Sequence, residues 1–414
     1  MIVLIIYIVL ALTFGYTMIV AETAIGRMTR KSPVGAFKSF GKKKWLSFGG
    51  WINAVIPVLI VPYYSVIGGW VIKYLVEYFR GNAKLLAEDG YFTDFISNGV
   101  STELCFVAFC AFTLIIIFAG VQDWIERVFK IMMPILIVLS VIIAVYSVTR
   151  PGALAGVKYF LVPNVKNFSW MTVVAAMGQM FYSLSIAMGI LITFGSYMKK
   201  DTAIEDSTRN VEIFDTGIAI MAGLMIIPAV FAFSGGDPNT LQAGPSLMFI
   251  TIPKVFQNMG FGTVIGIVFF LLVLFAAVTS SIALTESAVS TFEDELGWGR
   301  KKATVLVGVI MLALGSLSSL GYGPLAGIKI IGMQFLDLFD FLTNSVMMPI
   351  AALLTSLFVS RVVGIDKIEE EIIHGESAFR RKKVFVVMIK YLCPVFAIII
   401  LLSSVANALG WIKM

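Results

Sequence analysis

Side chains that carry most enzyme chemistry are scarce in this chain. Its 414 residues include one histidine, His374, and three cysteines, Cys105, Cys110 and Cys393. His374 lies in a charged loop without a catalytic pair, and the cysteines fall in apolar runs with no metal-ligand spacing, so they read as packing residues. With no nucleophile, histidine and acid gathered in one place, an enzyme is disfavoured. Charge is scarce as well: 14% of residues are charged against 59% hydrophobic. No hydrophilic stretch is long enough for a second domain, so residues 1–414 read as one domain. No low-complexity tract or short repeat occurs, and no repeated filter motif or ring of like charges marks a passive ion channel.

What is abundant is apolar sequence in long runs. A bilayer core about 30 Å thick takes roughly 20 helical residues to cross. Ten runs of that order lie near residues 2–24, 46–79, 101–120, 125–149, 170–197, 211–233, 260–291, 303–320, 330–360 and 384–411. The chain is therefore expected to be an all-α polytopic membrane protein. Residues 2–21 form too long a run, with no basic region before it, for a cleaved signal. The net charge of +6 does not require a nucleic-acid partner, because the basic residues cluster in short loops, where they set membrane orientation. The loop GRMTRKSPVGAFKSFGKKKW holds seven Lys or Arg and no acid, which places it inside the cell. Alternation then puts 80–100, with Glu88, Asp89 and Asp94, outside, and 361–383, with RRKK at 380–383, inside. Two outer loops, 158–168 and 235–256, mix apolar and turn residues and read either as caps or lids or as ordinary connectors.

Five acids, Glu22, Asp215, Glu286, Asp337 and Asp340, fall within runs or at their margins, with no Lys or Arg comparably deep. An ionised carboxylate near the bilayer centre costs a few kcal/mol, so each needs a partner. A bound cation would serve; alternatively Glu22, Asp337 and Asp340 sit near helix ends and reach water. Within 170–197 the stretch FYSLSIAMG adds Ser183, Ser185 and Gly189 to Gly178 and Gln179. These polar groups either join helices by hydrogen bonds or mark a locally unwound helix, which is tolerated at membrane depth only where it is buried or lines a cavity. A second cluster, AAVTSSIAL at 276–284, offers the hydroxyls of Thr279, Ser280 and Ser281. Hydroxyls and carbonyls are hard oxygen ligands suited to an alkali cation.

Taken in order, YIVLALTFGYTMIVAETAIGR (7–27), IVPYYSVIGGW (60–70), GQMFYSLSIAMG (178–189), AAVTSSIAL (276–284) and EDEL (293–296) resemble the neurotransmitter:sodium symporter family. That resemblance implies the leucine-transporter-type fold, an inverted-repeat helical bundle. The first run here matches the family's second helix, so about ten transmembrane helices, family helices 2 to 11, are expected. The family's first helix has no counterpart in residues 1–414. An N-terminally truncated form or fragment is therefore expected, the alternative being a transport-inactive membrane protein acting as a binding partner or regulator.

The resemblance also implies roles residue by residue. Tyr64 falls where a tyrosine hydrogen-bonds the substrate carboxylate, with Ile60 one turn away on the same face. Tyr182 falls at the aromatic that closes the pocket outside, Ser185 at the helix break, and Met188 and Leu284 at the pocket walls. Ser183 matches a hydroxyl ligand of the first sodium site; Ala276 by its carbonyl and Thr279 and Ser280 by hydroxyl match the second. Glu22 matches an acid that hydrogen-bonds near the break, and Asp340 the outer-gate acid. Asp215 stands where many members have a sodium-binding asparagine. Its charge would replace the chloride of animal relatives, so that Tyr7, aligned with a chloride-ligand tyrosine, faces no anion and no chloride is required. The function implied is sodium-coupled symport of an amino acid into the cell, with Na+ as the co-transported ion, in a bacterial inner membrane. Adaptable Met188 favours hydrophobic or aromatic substrates. The oligomeric state has no signal in the sequence.

Overall fold

A computed structural model describes residues 2–41, 43–120, 125–163, 168–235, 244–408 and 411. Among these, nine helices are long and apolar enough to cross a membrane. They are α1 (Ile2–Thr29), α2 (Lys44–Phe79), α3 (Gly99–Ala119), α4 (Glu126–Val148), α7 (Ile204–Ser234), α8 (Gly262–Leu296), α9 (Arg300–Leu320), α10 (Phe335–Val363) and α11 (Lys382–Ala408). The tenth expected span, 170–197, is two shorter helices, α5 (Trp170–Ser183) and α6 (Ile190–Tyr197). Several helices run longer than the apolar runs that signalled them. At a rise of 1.5 Å per residue, the 36 residues of α2 span about 54 Å, well beyond a bilayer core, so its charged ends stand in the interface.

Stop signals are local. α1 ends where Arg30 turns left-handed (φ 56°) and its N–H returns to the Gly26 carbonyl; Pro33 then opens the short helix Pro33–Lys38. Between α1 and α6 the backbones touch. A Cβ on Gly26 would lie 2.0 Å from the Ile192 carbonyl oxygen, and one on Gly195 would lie 2.5 Å from that of Thr23. Small residues permit such close approach in membranes, where packing rather than the hydrophobic effect joins helices.

The basic end of the bundle carries a buried ionic network. Arg27, fully buried, places Nε 2.7 Å from Glu371 Oε1 and also donates to the backbone carbonyls of Glu371 and Thr202. Glu371 belongs to the helix Ile365–Ile373 between α10 and α11. Glu205, at the start of α7, accepts the Tyr16 hydroxyl and the backbone N–H groups of Arg380 and Arg381. Segment 364–381 thus straps α1 to the start of α7. Two arginines meet buried acids: Arg27 is itself wholly enclosed, and Arg300 reaches Glu286 from across the α8–α9 turn. Of the two loops read as caps or connectors, residues 164–167 and 236–243 lie outside the described residues. The second also contains the apolar helix Leu247–Gln257, with the Phe249 carbonyl accepting the Tyr74 hydroxyl at 2.7 Å.

Candidate functional site

The break in the 170–197 segment covers residues 184–189. Ser185 (φ 55°), Ala187 (φ 58°) and Gly189 (φ 72°) all adopt left-handed backbone there, which a continuous helix does not allow. Glycine suits position 189 because a Cβ would meet the Asn53 carbonyl oxygen at 2.6 Å. The carboxyl end of α5 and the amino end of α6 face the gap, so partial negative and partial positive charge meet across it. Glu22, fully buried on α1, accepts the Ala187 N–H at Oε1 (2.8 Å), and its Oε2 has no partner among the described residues. Both alternatives are present: the segment is unwound, and Ser183 at its edge also joins helices by hydrogen bonds. The break is narrower than the polar cluster suggested, since Gly178, Gln179 and Ser183 remain in α5.

Ser183 is the last residue of α5. Its Oγ donates to Asp215 Oδ1 at 2.6 Å and lies 2.9 Å from the Tyr7 hydroxyl, which itself donates to Asp215 Oδ2. Tyr7, aligned with a chloride-ligand tyrosine, thus meets the protein's own carboxylate. Asp215 meets hydroxyls from two other helices and no arginine or lysine among the described partners. Gln179, Ser183 and Tyr7 border a cavity of about 840 Å3 whose wall also carries Lys158 and Phe231.

On α8 the three consecutive hydroxyls diverge, as a 100° step per residue requires. Thr279 returns to the Ala276 carbonyl at 3.0 Å, which brings two of the expected sodium ligands together. Ser280 is exposed although it sits in mid-span, and it lies close to Tyr64. Ser281 instead meets Thr113 of α3 at 3.1 Å. Tyr64 thereby adjoins the Ala276–Thr279–Ser280 group. Ile60, Met188 and Leu284 are buried, while Tyr64, Tyr182 and Ser185 are half-buried.

Tyr182 lies near Tyr63, Tyr64 and Asp340. Asp340 Oδ1 accepts the Tyr63 hydroxyl at 3.2 Å and the Asn344 amide at 2.5 Å. Neither partner was singled out from sequence. Asn344 had a readable signal, four residues past Asp340 on one helix face; Tyr63 had none, because it belongs to another helix. Burial and the neighbouring Asp337 carboxylate push the Tyr322 phenol, in the turn after α9, above its ordinary value, so it stays a donor 3.2 Å from Asp337 Oδ1. Glu286 departs from the expectation of a bound cation. Arg300 pairs with both its oxygens (3.0 and 2.5 Å) and Tyr197 donates at 2.8 Å.

Known proteins share this architecture. A crystal structure of MhsT in complex with L-phenylalanine superposes with a TM-score of 0.86 at 33% sequence identity, covering 97% of this chain and 91% of that one. A sodium-dependent transporter of Bacillus subtilis, YhdH, is 32% identical over 404 residues, 97% of this chain and 89% of the relative. A sodium-dependent transporter of Haemophilus influenzae is 30% identical over 410 residues, 95% of this chain and 88% of the relative. The Sodium- and chloride-dependent GABA transporter 2 of Macaca fascicularis is 24% identical over 432 residues, 88% of this chain and 67% of the relative. The bundle is the leucine-transporter-type fold of a multi-pass membrane protein, and these relatives are transporters, not enzymes. The profile of the sodium:neurotransmitter symporter family matches residues 93–411, and the chain belongs to that family.

Proposed function

We propose that this protein carries a hydrophobic or aromatic amino acid into the cell in symport with sodium. The observation that carries the reading is the helix interrupted at 184–189 with the Asp215 carboxylate held against its edge by Ser183. Interrupted backbone at membrane depth offers carbonyl and N–H groups to ions and charged substrate groups. In this reading Ser183 and Asp215 hold one sodium, and Ala276, Thr279 and Ser280 hold a second. Tyr64 binds the substrate carboxylate. Ile60, Ser185, Met188 and Leu284 surround the side chain, Tyr182 covers it from outside, and Asp340 belongs to the outer gate. Glu22 braces the break through Ala187. The L-phenylalanine bound to MhsT supports an aromatic or large apolar substrate. Bacterial relatives support an inner-membrane location with the 26–45 loop inside, and residues 1–414 act as one transporter domain.

Because Asp215 already supplies a negative charge beside Tyr7, chloride has no role in this mechanism. Uptake of radiolabelled L-phenylalanine, L-leucine and L-glutamate into proteoliposomes carrying the protein tests the proposal. Accumulation of the first two under an inward sodium gradient, lost when potassium replaces sodium and unchanged when gluconate replaces chloride, is expected. Uptake indifferent to sodium, or equal for glutamate, refutes it.

A further inference from the structure

Polar contacts at the basic end of the bundle divide into those that a movement of helices could part and those that it could not. Glu286 and Arg300 stand on consecutive helices, α8 and α9, with only residues 297–299 between them, so no rigid-body movement separates them. α1 and α6 are held as firmly. The close approaches at Gly26 and Gly195 leave no space between their backbones, and Arg30 Nη1 adds a bond to the Ser196 carbonyl at 3.1 Å. Arg27 and Glu371 are different: 344 residues lie between them, and no short loop tethers one to the other.

Arg27 uses every nitrogen of its guanidinium: Nε donates to Glu371 Oε1, Nη1 to the Thr202 carbonyl and Nη2 to the Glu371 carbonyl. One side chain thereby joins the end of α1, the 198–203 connection between α6 and α7, and the helix Ile365–Ile373. The strap also presses on that connection directly. A Cβ on Gly375 would lie 2.5 Å from the Thr202 carbonyl oxygen and 3.0 Å from that of Asp201, and Glu376 Oε1 accepts the Glu205 N–H at 2.6 Å. Arg27 and Glu371 are 0% and 4% exposed, but the second Glu371 oxygen takes Lys200 at 2.7 Å, and the Lys200 side chain is half exposed. Water therefore reaches the rim of a dry ion pair. Such a pair adds little net stability, because the desolvation of both ions offsets their attraction, and parting it at a wet rim returns both ions to hydration. The glycine contacts of α1 and α6 rest on close packing and gain nothing from water when parted.

We propose that the Arg27–Glu371 pair is a latch that keeps the helix break shut toward the basic side. α1 and α6 move as one body; Arg27 keeps its bond to Thr202 within that body and gives up its two bonds to Glu371 when the break opens inward. A packed interface with a closed and a hydrated arrangement has two discrete states, as a gate requires. The inference rests on the transport reading above, in which the break must reach the basic side for the substrate to leave.

Hydrogen–deuterium exchange read by mass spectrometry on detergent-purified protein tests the latch without any transported ligand, since local opening sets the exchange of the amides it exposes. Glu371→Gln is the informative variant, because it removes the counter-charge but leaves Arg27 an amide oxygen and both carbonyl acceptors. Exchange in 192–203 and 365–380 should rise about tenfold, as expected for a weakened hydrogen bond between charged groups, while α2 keeps wild-type rates. Lys382→Gln, which loses the more exposed pair with Glu369 beside the same strap, leaves both stretches unchanged. In proteoliposomes Glu371→Gln should speed efflux of preloaded L-phenylalanine and raise its half-saturating external concentration, whereas loss of a mere strut slows transport in both directions. A wild type that carries no L-phenylalanine refutes the transport reading, and the exchange arm still decides the latch. Wild-type exchange in the two stretches, a rise shared by α2, or a rise with unchanged efflux overturns it.

Discussion

Glu286 and Asp215 are both carboxylates on membrane-spanning helices, and their surroundings differ in kind. Glu286 is fully buried, and its charge is cancelled by Arg300 and hydrogen-bonded by Tyr197. Its partners come from two helices, α9 and α6, and Arg300 Nε also reaches the Ile117 carbonyl of α3 at 3.0 Å. Among the described residues Asp215 has hydroxyl partners only, Ser183 and Tyr7, beside an interrupted helix and a cavity. Hydroxyls stabilise a negative charge without neutralising it, so Asp215 retains the capacity to attract a cation, whereas Glu286 has none left. A buried acid in this bundle is therefore classified by its partners rather than by its depth. The acid paired with an arginine is a joint, and the acid without a cationic partner among the described residues is the one proposed to bind sodium.

The largest effect should come from breaking the joint. Arg300→Gln leaves the Glu286 carboxylate buried without a counter-charge, which costs about 3–5 kcal/mol. A marked fall in thermal unfolding temperature in detergent is expected, and Arg300→Gln with Glu286→Gln should recover most of it. A stable single variant would erase the distinction between the two acids.

Next in size is Tyr64→Phe, which sharpens the comparison by testing a group at the proposed substrate position. Losing a hydrogen bond to a charged group costs roughly 1.5–3 kcal/mol, or about ten- to a hundredfold in affinity. Scintillation proximity binding of L-phenylalanine should show this weakening with little change in unfolding temperature. An unchanged dissociation constant would make Tyr64 a packing residue.

Asp215→Asn should lower sodium affinity by about tenfold, the lower end of what a charged partner contributes. It should also create a dependence on chloride, while stability changes little. Sodium titrations of uptake with chloride or gluconate as the anion check both parts. Equal sodium affinity and no chloride response would leave Asp215 as structural as Glu286. The smallest effect is expected of Tyr7→Phe, which removes one hydroxyl from Asp215 and should shift half-saturating sodium by about two- to tenfold, equivalent to roughly 0.5–1.5 kcal/mol. A Tyr7 effect exceeding that of Asp215→Asn would mean that the tyrosine, not the acid, organises the site.

Much of the fold was legible because bilayer physics is one-dimensional along the chain. Apolar runs of sufficient length mark spans, and the ends of α1 and α7 could be sensed from basic residues and glycine near them. The break was legible in part, since Ser185 and Gly189 are poor residues for a mid-membrane helix. Its edges were not, because whether Gln179 and Ser183 stay helical depends on neighbours that the local sequence does not name. Asp215 could be picked out as an acid in an apolar run. That Tyr7 would meet it could not, since 208 residues separate them.

Composition and periodicity by themselves determined the environment of this protein and its class: a polytopic helical bundle, poor in catalytic side chains, oriented by its basic loops. Partial burial free energies add up along a run of apolar residues, so sequence suffices for them. Only the tertiary structure decided which charges neutralise each other. Among the described residues, Arg300 folds back on Glu286, Arg27 is sealed under Glu371, Glu22 keeps an oxygen without a partner, and Asp215 is left to hydroxyls. Electrostatic pairing is set by distances of a few ångströms between remote residues, and at low dielectric those distances govern whether a charge is a strut or a site.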